Sequence, residues 1–198
     1  KSPVIKAVSL TGSEVAGMRV ASQTGRLIKK TVLELGGSDP YIVCRDANIE
    51  KSIEFAIKSR MLNTGQSCIA AKRFIIHHSI FNDFVKGLHS RVKKLVIGNP
   101  AVIKTNVGPL AREDLRSELH EYVTKSIDLG AKVICGAKKL YKKGYYYEPT
   151  ILVDVSSKMP IYHKEIFGPV FTIMKFKSDE EAITLANDTN YGLGASIW

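Results

Sequence analysis

One cysteine in this sequence stands in a setting that favours nucleophilic chemistry. Cys68 follows polar turn residues at 63–67 and precedes a short Ala-rich stretch that is compatible with a helix. A thiol at the start of a helix can have a lowered pKa, because the helix dipole stabilises the reactive thiolate. Cys44 and Cys135 lie in apolar segments that read as strands, where an inert buried thiol is the ordinary outcome. The sequence therefore predicts that Cys68 alone is reactive.

A carboxylate beside a pair of glycines is a candidate general base. Glu34 stands between Leu33 and Leu35 and is followed by Gly36 and Gly37. A partly desolvated carboxylate in such a place can accept a proton from water or from a thiol. An ordinary glutamate at the end of a helix or strand, beside a turn, fits the same pattern, so the segment alone does not establish a base.

Two further segments could contact a ligand. In the first, a predicted strand runs into Gly12 and Ser13 and then into a helix that contains Gly17, so N–H groups at the helix start could hold a phosphate. The spacing is G-x-x-x-x-G rather than the Rossmann G-x-G-x-x-G, and an ordinary strand–turn–helix also fits. In the second, Glu165 and Phe167 precede a Gly-Pro turn and could face a ligand or be turn residues.

Strand and helix patterns alternate along the chain. The predicted strands are 5–10, 40–44, 73–77, 132–135, 149–153, 170–176 and 195–198. The predicted helices are 15–28, one capped by Asp46 or Asn48, one opened by Ser79, 112–129 with Gly130 behind it, and 179–187. Strands separated by helices imply parallel βαβ units and an α/β fold. The glycine pair places the best boundary between domains near 34–37.

Composition and charge exclude several classes of protein. The chain has 198 residues, three cysteines and a net charge of +10. Its lysines come in small pairs without interleaved aromatic residues, which favours a solvated surface over nucleic-acid binding. No apolar run is long enough to span a membrane, no secretory signal is present, and no Cys/His spacing fits zinc. We expect a cytoplasmic protein without disulfides, metal, nucleic-acid partner or membrane contact.

Taken together, the four segments resemble the aldehyde dehydrogenase superfamily. T-G-S-x-x-x-G at 11–17 is similar to its coenzyme turn, and E-L-G-G at 34–37 to the segment bearing its general base. G-Q-S-C at 65–68 resembles its nucleophile segment, and E-I-F-G-P-V at 165–170 its coenzyme-ribose segment. The four occur in the family's order, and the resemblance continues to N-Y-G-L at 190–193.

The finer pattern resembles bacterial succinate-semialdehyde dehydrogenases. E-L-G-G-S-D-P, G-Q-S-C-x-A-A-K-R-F-I and G-P-L-A-R-x-D-L-R-x-E-L-H carry this resemblance. Many such enzymes have an Arg directly before N-T-G-Q-x-C, where it can pair with the substrate carboxylate, and here that position is Leu62. The resemblance implies oxidation of succinate semialdehyde, with a different small aldehyde as the alternative.

The resemblance also implies a role for each candidate. Cys68 would attack the aldehyde and form a thiohemiacetal and then a thioester, and Glu34 would activate the water that hydrolyses it. The coenzyme would be NAD or NADP, with Glu165 on the nicotinamide ribose, Phe167 beside the nicotinamide, and Gly12 and Ser13 near the pyrophosphate. The full set of implied coenzyme-binding residues is Gly12, Ser13, Gly17, Leu35, Glu165 and Phe167.

Members of this family are roughly double the length of this chain. The resemblance therefore implies a chain truncated at both ends, with residues 1–33 as the tail of a Rossmann-like coenzyme domain and 34–198 as an incomplete catalytic domain. We expect the parent to form a homodimer or homotetramer and the fragment alone to be inactive. Three alternatives are a natural shortened protein with a structural or assembly role, a nucleic-acid-binding module, and a thiol hydrolase.

Overall fold

The structure is a computed structural model that describes residues 2–198. The chain divides into two compact units, of which the first ends at Gly37 and the second runs from Ser38 to Trp198. The division falls at the end of the 34–37 segment, where the glycine pair predicts a change of direction. The mixture of helices with a largely parallel sheet confirms the predicted α/β class.

The first unit is a single βαβ arrangement. Its elements are β1 (Ala7–Thr11), α1 (Glu14–Gly25) and β2 (Lys30–Glu34). The two strands are parallel, with Thr11 opposite Glu34. Ser13 caps α1, because its hydroxyl accepts a hydrogen bond of 3.3 Å from the Ala16 N–H. The strand predicted at 5–10 is not buried but alternates between half-buried and exposed residues, and the predicted helix ends at Gly25 rather than at 28.

The second unit is built on a six-stranded sheet with the order β10–β3–β4–β9–β8–β5. Its strands are β3 (Pro40–Val43), β4 (Arg73–His77), β5 (Lys132–Cys135), β8 (Thr150–Val153), β9 (Val170–Phe176) and β10 (Ser196–Ile197), beside a hairpin of β6 (Lys139–Tyr141) and β7 (Tyr145–Tyr147). Neighbouring strands are parallel except β5, which is antiparallel to β8. The parallel pairing that βαβ units imply therefore holds for the other neighbouring strands of this sheet but not for β5.

Helices cover both faces of the sheet. They are α2 (Ile49–Met61), α3 (Phe81–Val92), α4 (Glu113–Asp128), α5 (Pro160–His163) and α6 (Asp179–Asn187). Successive side chains of a strand point to opposite faces, so Phe74 and Ile76 of β4 join a core with α2 and α3. Ile75 of the same strand joins a second core with α4 and α5. Burial on both faces explains why β3, β4, β8 and β9 are apolar runs rather than alternating ones.

The residues at two helix ends are those predicted from the sequence, and at a third helix end they differ. Asn48 caps α2 by accepting a hydrogen bond of 3.0 Å from the Lys51 N–H. Gly130 follows α4 with a φ of 108°, as a residue behind a helix end often does. Ser79 does not cap α3, because Ile80 occupies that position and no side chain caps the helix.

Candidate active site

The chain makes a left-handed turn shortly before Cys68. Asn63, Thr64 and Gly65 follow α2 with φ angles of 48°, 61° and 79°. A β-branched residue such as Thr64 rarely adopts this conformation, which costs on the order of 1–3 kcal/mol and persists only where the surroundings hold it. Strain of this kind clusters at functional sites, so the turn marks this segment as a candidate independently of any motif.

Hydrogen bonds from the 108–111 segment hold the turn. The hydroxyl of Thr64 accepts from the Gly108 N–H at 3.0 Å. The side-chain oxygen of Gln66 accepts from the Ala111 N–H at 2.8 Å, and its amide nitrogen donates to the Asn63 carbonyl at 3.0 Å. The polar residues before Cys68 are therefore used to fix the backbone.

Cys68 lies in a tight turn and not at the start of a helix. The turn closes with a hydrogen bond of 3.2 Å from the Ala70 N–H to the Ser67 carbonyl, and the chain then enters β4 without a helical residue. The predicted helix after Cys68, and its dipole, are therefore wrong, because the residues after the turn extend directly into the sheet. Cys68 is a partly exposed residue.

Two buried cations organise the backbone around this turn. Arg60 is fully buried and donates to the carbonyls of Gly65, Ala71 and Ile166 at 2.6, 2.9 and 3.1 Å. Lys72 is 1% exposed and donates to the carbonyls of Ser67, Cys68 and Ala70, each at 3.0 Å.

The backbone carbonyls around Arg60 and Lys72 offset the cost of burying these two charged side chains. A buried cation without hydrogen-bond acceptors costs several kcal/mol, and here the polypeptide itself supplies them. Burial is also the main cause that lowers the pKa of Arg60 to about 9, while Glu165 acts in the opposite direction.

The segment at 165–168 packs directly against the nucleophile turn. A Cβ at Gly65 would lie 2.2 Å from the Gly168 carbonyl oxygen, so the two backbones are as close as glycine allows. The Glu165 carboxylate lies 3.9 Å from the Lys72 ammonium. Glu165 and Phe167 also line one recess with side chains of α4, including Tyr122. Thus the fold packs the 65–68 segment against the 165–168 segment, which lies about a hundred residues later in the sequence.

The other two cysteines are in less reactive surroundings. Cys44 lies one residue beyond β3 and Cys135 is the last residue of β5, so Cys44 is not within a strand as expected, and both residues are partly rather than fully buried. Burial raises the pKa of both thiols, and for Cys44 the carboxylates of Asp179 and Asp46 raise it further. A raised thiol pKa leaves little thiolate at neutral pH.

The candidates of the first unit form one small cluster within that unit. The Gly12 N–H donates to the Glu34 carbonyl at 2.9 Å, so it is not free to hold a phosphate as the sequence suggested. A Cβ at Gly17 would lie 2.7 Å from a methyl group of Leu35, so these two residues pack against each other. Glu34 ends β2 with an exposed side chain, and burial does not desolvate its carboxylate.

Sequence reasoning did not identify Arg60 or Lys72 as parts of the site. Each is one of the 29 lysines and arginines of the chain, and most such residues are solvated. The one available signal was that Lys72 stands between Ala71 and the apolar strand that follows. Among residues 2–198 no group of three or more His, Cys, Asp or Glu side chains could hold a metal ion, and no helix is long and apolar enough to cross a membrane.

The chain is similar to known proteins in both sequence and structure. The sequence model of the Aldehyde dehydrogenase family matches residues 1–198. The succinate-semialdehyde dehydrogenase [NADP(+)] 1 of Mycobacterium bovis is 44% identical over the whole chain, which spans only 43% of that relative. The structure of lactaldehyde dehydrogenase from Escherichia coli is 39% identical with a TM-score of 0.94, over 98% of this chain and 41% of that one.

A Mycobacterium tuberculosis aldehyde dehydrogenase complexed with NAD+ is also similar. It is 33% identical with a TM-score of 0.94, over 100% of this chain and 41% of that one. The chain therefore spans less than half the length of the relatives it matches, of which the Mycobacterium bovis relative has NADP(+) in its name and the Mycobacterium tuberculosis structure is complexed with NAD+.

Proposed function

This chain belongs to the aldehyde dehydrogenase family, and we propose that the whole protein oxidises an aldehyde to its carboxylic acid with NAD+ or NADP+, using Cys68 as the nucleophile. One observation carries the proposal: Cys68 is a partly exposed residue on a strained turn that the buried cations Arg60 and Lys72 hold, and the 165–168 segment packs against that turn. Nucleophilic catalysis needs such a fixed and reachable thiol.

The proposed reaction begins with addition of the Cys68 thiolate to the aldehyde carbon. A carbon–sulfur bond forms, and the carbonyl oxygen takes the negative charge, for which the Cys68 N–H is one available donor. Loss of a hydride from the same carbon leaves a thioester on Cys68. Glu34 then removes a proton from water, the resulting hydroxide attacks the thioester, and the acid leaves as the thiolate is regenerated.

The second unit offers suitable groups for the nicotinamide half of a coenzyme. Glu165 supplies carboxylate oxygens that can accept from ribose hydroxyls, and Phe167 supplies an aromatic surface in the same recess. A bound nicotinamide coenzyme would supply the acceptor for the hydride. In the first unit the candidates for coenzyme binding are Gly12, Ser13, Gly17 and Leu35, of which Gly12 and Ser13 are proposed to lie near the pyrophosphate, with Ser13 at the N-terminus of α1.

We propose succinate semialdehyde as the substrate. The support is the 44% identity to mycobacterial succinate-semialdehyde dehydrogenases. Leu62 cannot pair with the substrate carboxylate, and this half-exposed leucine stands where many such enzymes have an Arg. If the substrate carboxylate is recognised, another residue of the whole protein must pair with it, and a neutral small aldehyde is the competing substrate.

The test is a steady-state assay of the full-length protein. Coenzyme reduction is followed with NAD+ and with NADP+ against succinate semialdehyde, lactaldehyde and a neutral aldehyde of the same length. We expect turnover with the first aldehyde to have the highest kcat/KM and Cys68→Ala to abolish it. If no aldehyde supports coenzyme reduction, the proposed reaction is refuted. If the neutral aldehyde has a much higher kcat/KM than succinate semialdehyde, only the proposed substrate is refuted.

A further inference from the structure

Lys72 lies between the nucleophile turn and Glu165. Its ammonium is bound on one side by the carbonyls of Ser67, Cys68 and Ala70, each at 3.0 Å. On another side it lies 3.9 Å from the Glu165 carboxylate, and only 1% of the lysine side chain is exposed. One cation therefore contacts both the backbone of the proposed nucleophile and the carboxylate proposed to bind the coenzyme.

The turn itself has other supports. Arg60 joins the Gly65 and Ile166 carbonyls, and side chains of Thr64 and Gln66 bind the 108–111 segment. These contacts fix both backbones without Lys72. Among the described contacts Lys72 adds an ion pair with the Glu165 carboxylate at 3.9 Å, and the charge of Arg60 also acts on that carboxylate.

We infer that Lys72 is a positioning residue that fixes the Glu165 carboxylate for coenzyme binding and ties it to the backbone of Cys68. The inference rests on the proposed function, because it takes Glu165 as the ligand of the coenzyme ribose. A carboxylate on a flexible side chain loses rotamer freedom when it binds a ligand, and a buried counter-charge that fixes it beforehand reduces this cost. The same cation links coenzyme binding to the turn that carries the thiol.

The charge on Lys72 should make this positioning depend on pH. Burial, followed by the nearby charge of Arg60, lowers the pKa of Lys72 to about 8, while Glu165, Asp39 and Cys68 act to raise it. The ammonium is present below that pH and is lost above it. Coenzyme affinity should therefore fall as pH rises from 7 to 9, and this fall should require the Glu165 carboxylate.

A double-mutant cycle on the full-length protein tests the inference. The coenzyme dissociation constant is measured for wild type, Lys72→Met, Glu165→Gln and the double variant, with Lys58→Met as the matched control. Lys58 also pairs with a glutamate, at 2.6 Å from Glu54, but both side chains are exposed on α2. We expect each single variant at the site to raise the dissociation constant about tenfold, as for loss of one charged hydrogen bond, and the control to leave it unchanged.

The decisive result is the double variant. If Lys72 acts through Glu165, the double variant binds no more weakly than Glu165→Gln alone. The inference is overturned if the two substitutions multiply their effects on the dissociation constant in the double variant, or if Lys72→Met leaves that constant unchanged, while the wild type still binds coenzyme. A wild type that binds no coenzyme overturns the proposed function as well.

The pH profile keeps the inference testable if Lys72→Met does not fold. Wild type should lose affinity severalfold between pH 7 and 9, and Glu165→Gln should lose none. Equal profiles in these two proteins overturn the inference.

Discussion

Substitution of Gly65 tests how tightly the nucleophile turn packs on the 165–168 segment. In Gly65→Ala the new Cβ would lie 2.2 Å from the Gly168 carbonyl oxygen and 2.7 Å from a guanidinium nitrogen of Arg60. The oxygen belongs to backbone and cannot swing away, so one of the two segments must shift. The residue also has a φ of 79°, which an alanine adopts at a cost.

The expected loss of stability has two parts. Left-handed backbone costs an alanine about 1–2 kcal/mol. Overpacking against backbone costs about 1–3 kcal/mol more. Gly130→Ala is the matched control, because Gly130 also has a positive φ, 108°, but a Cβ there would have no atom within 4 Å. The difference between the two variants isolates the contact with Gly168 and should be about 1–3 kcal/mol.

Urea denaturation followed by circular dichroism measures this difference. The midpoint should fall further in Gly65→Ala than in Gly130→Ala, with similar slopes. The rate at which Cys68 reacts with iodoacetamide should change only in Gly65→Ala, because only that variant displaces the turn. If the two variants lose the same stability and label alike, the close packing of these segments is refuted.

Four further predictions concern the thiols, the proposed base and the activity of residues 1–198. At neutral pH, limited alkylation and peptide mapping should label Cys68 before Cys44 and Cys135, since burial raises the pKa of the latter two; equal labelling would count against the assignment. The same raised values imply that stability falls as pH rises above the ordinary thiol pKa, because the unfolded thiols ionise first. In the full-length protein, Cys68→Ala should abolish turnover and Glu34→Gln should slow deacylation more than acylation; unchanged turnover in Glu34→Gln would exclude it as the base. Residues 1–198 alone should not reduce coenzyme, because hydride transfer needs the nicotinamide within about 3–3.5 Å of the reacting carbon, and the chain spans 43% of a dehydrogenase relative; turnover near that of the full protein would contradict this.

Elements with strong local patterns were predictable from the sequence. β4, β5, β9 and α6 have the predicted ends, because their apolar runs or helical spacing are bounded by clear turn residues. β2 was not predicted, because Lys30–Glu34 is short and only alternate residues are half-buried. The direction of β5 was also missed, since a strand's own residues carry no local signal of parallel or antiparallel pairing.

The residues that shape the site were less predictable than those proposed to react. Cys68, Glu165 and Phe167 lie in recognisable segments, and the fold brings those segments together. The left-handed backbone at Asn63 and Thr64 depends on contacts with a segment more than forty residues away, as does the burial of Arg60. Such features come from tertiary structure and leave little trace in local sequence.

Trapping of the covalent intermediate tests the central claim most directly. The full-length protein is mixed with coenzyme and succinate semialdehyde, quenched in acid, and digested for mass spectrometry. The account predicts an acyl thioester on the peptide containing Cys68, formed only when coenzyme is present and accumulating further in Glu34→Gln. An acyl group on another residue, or no acyl group while the acid is still produced, would contradict the assignment of Cys68 as the nucleophile.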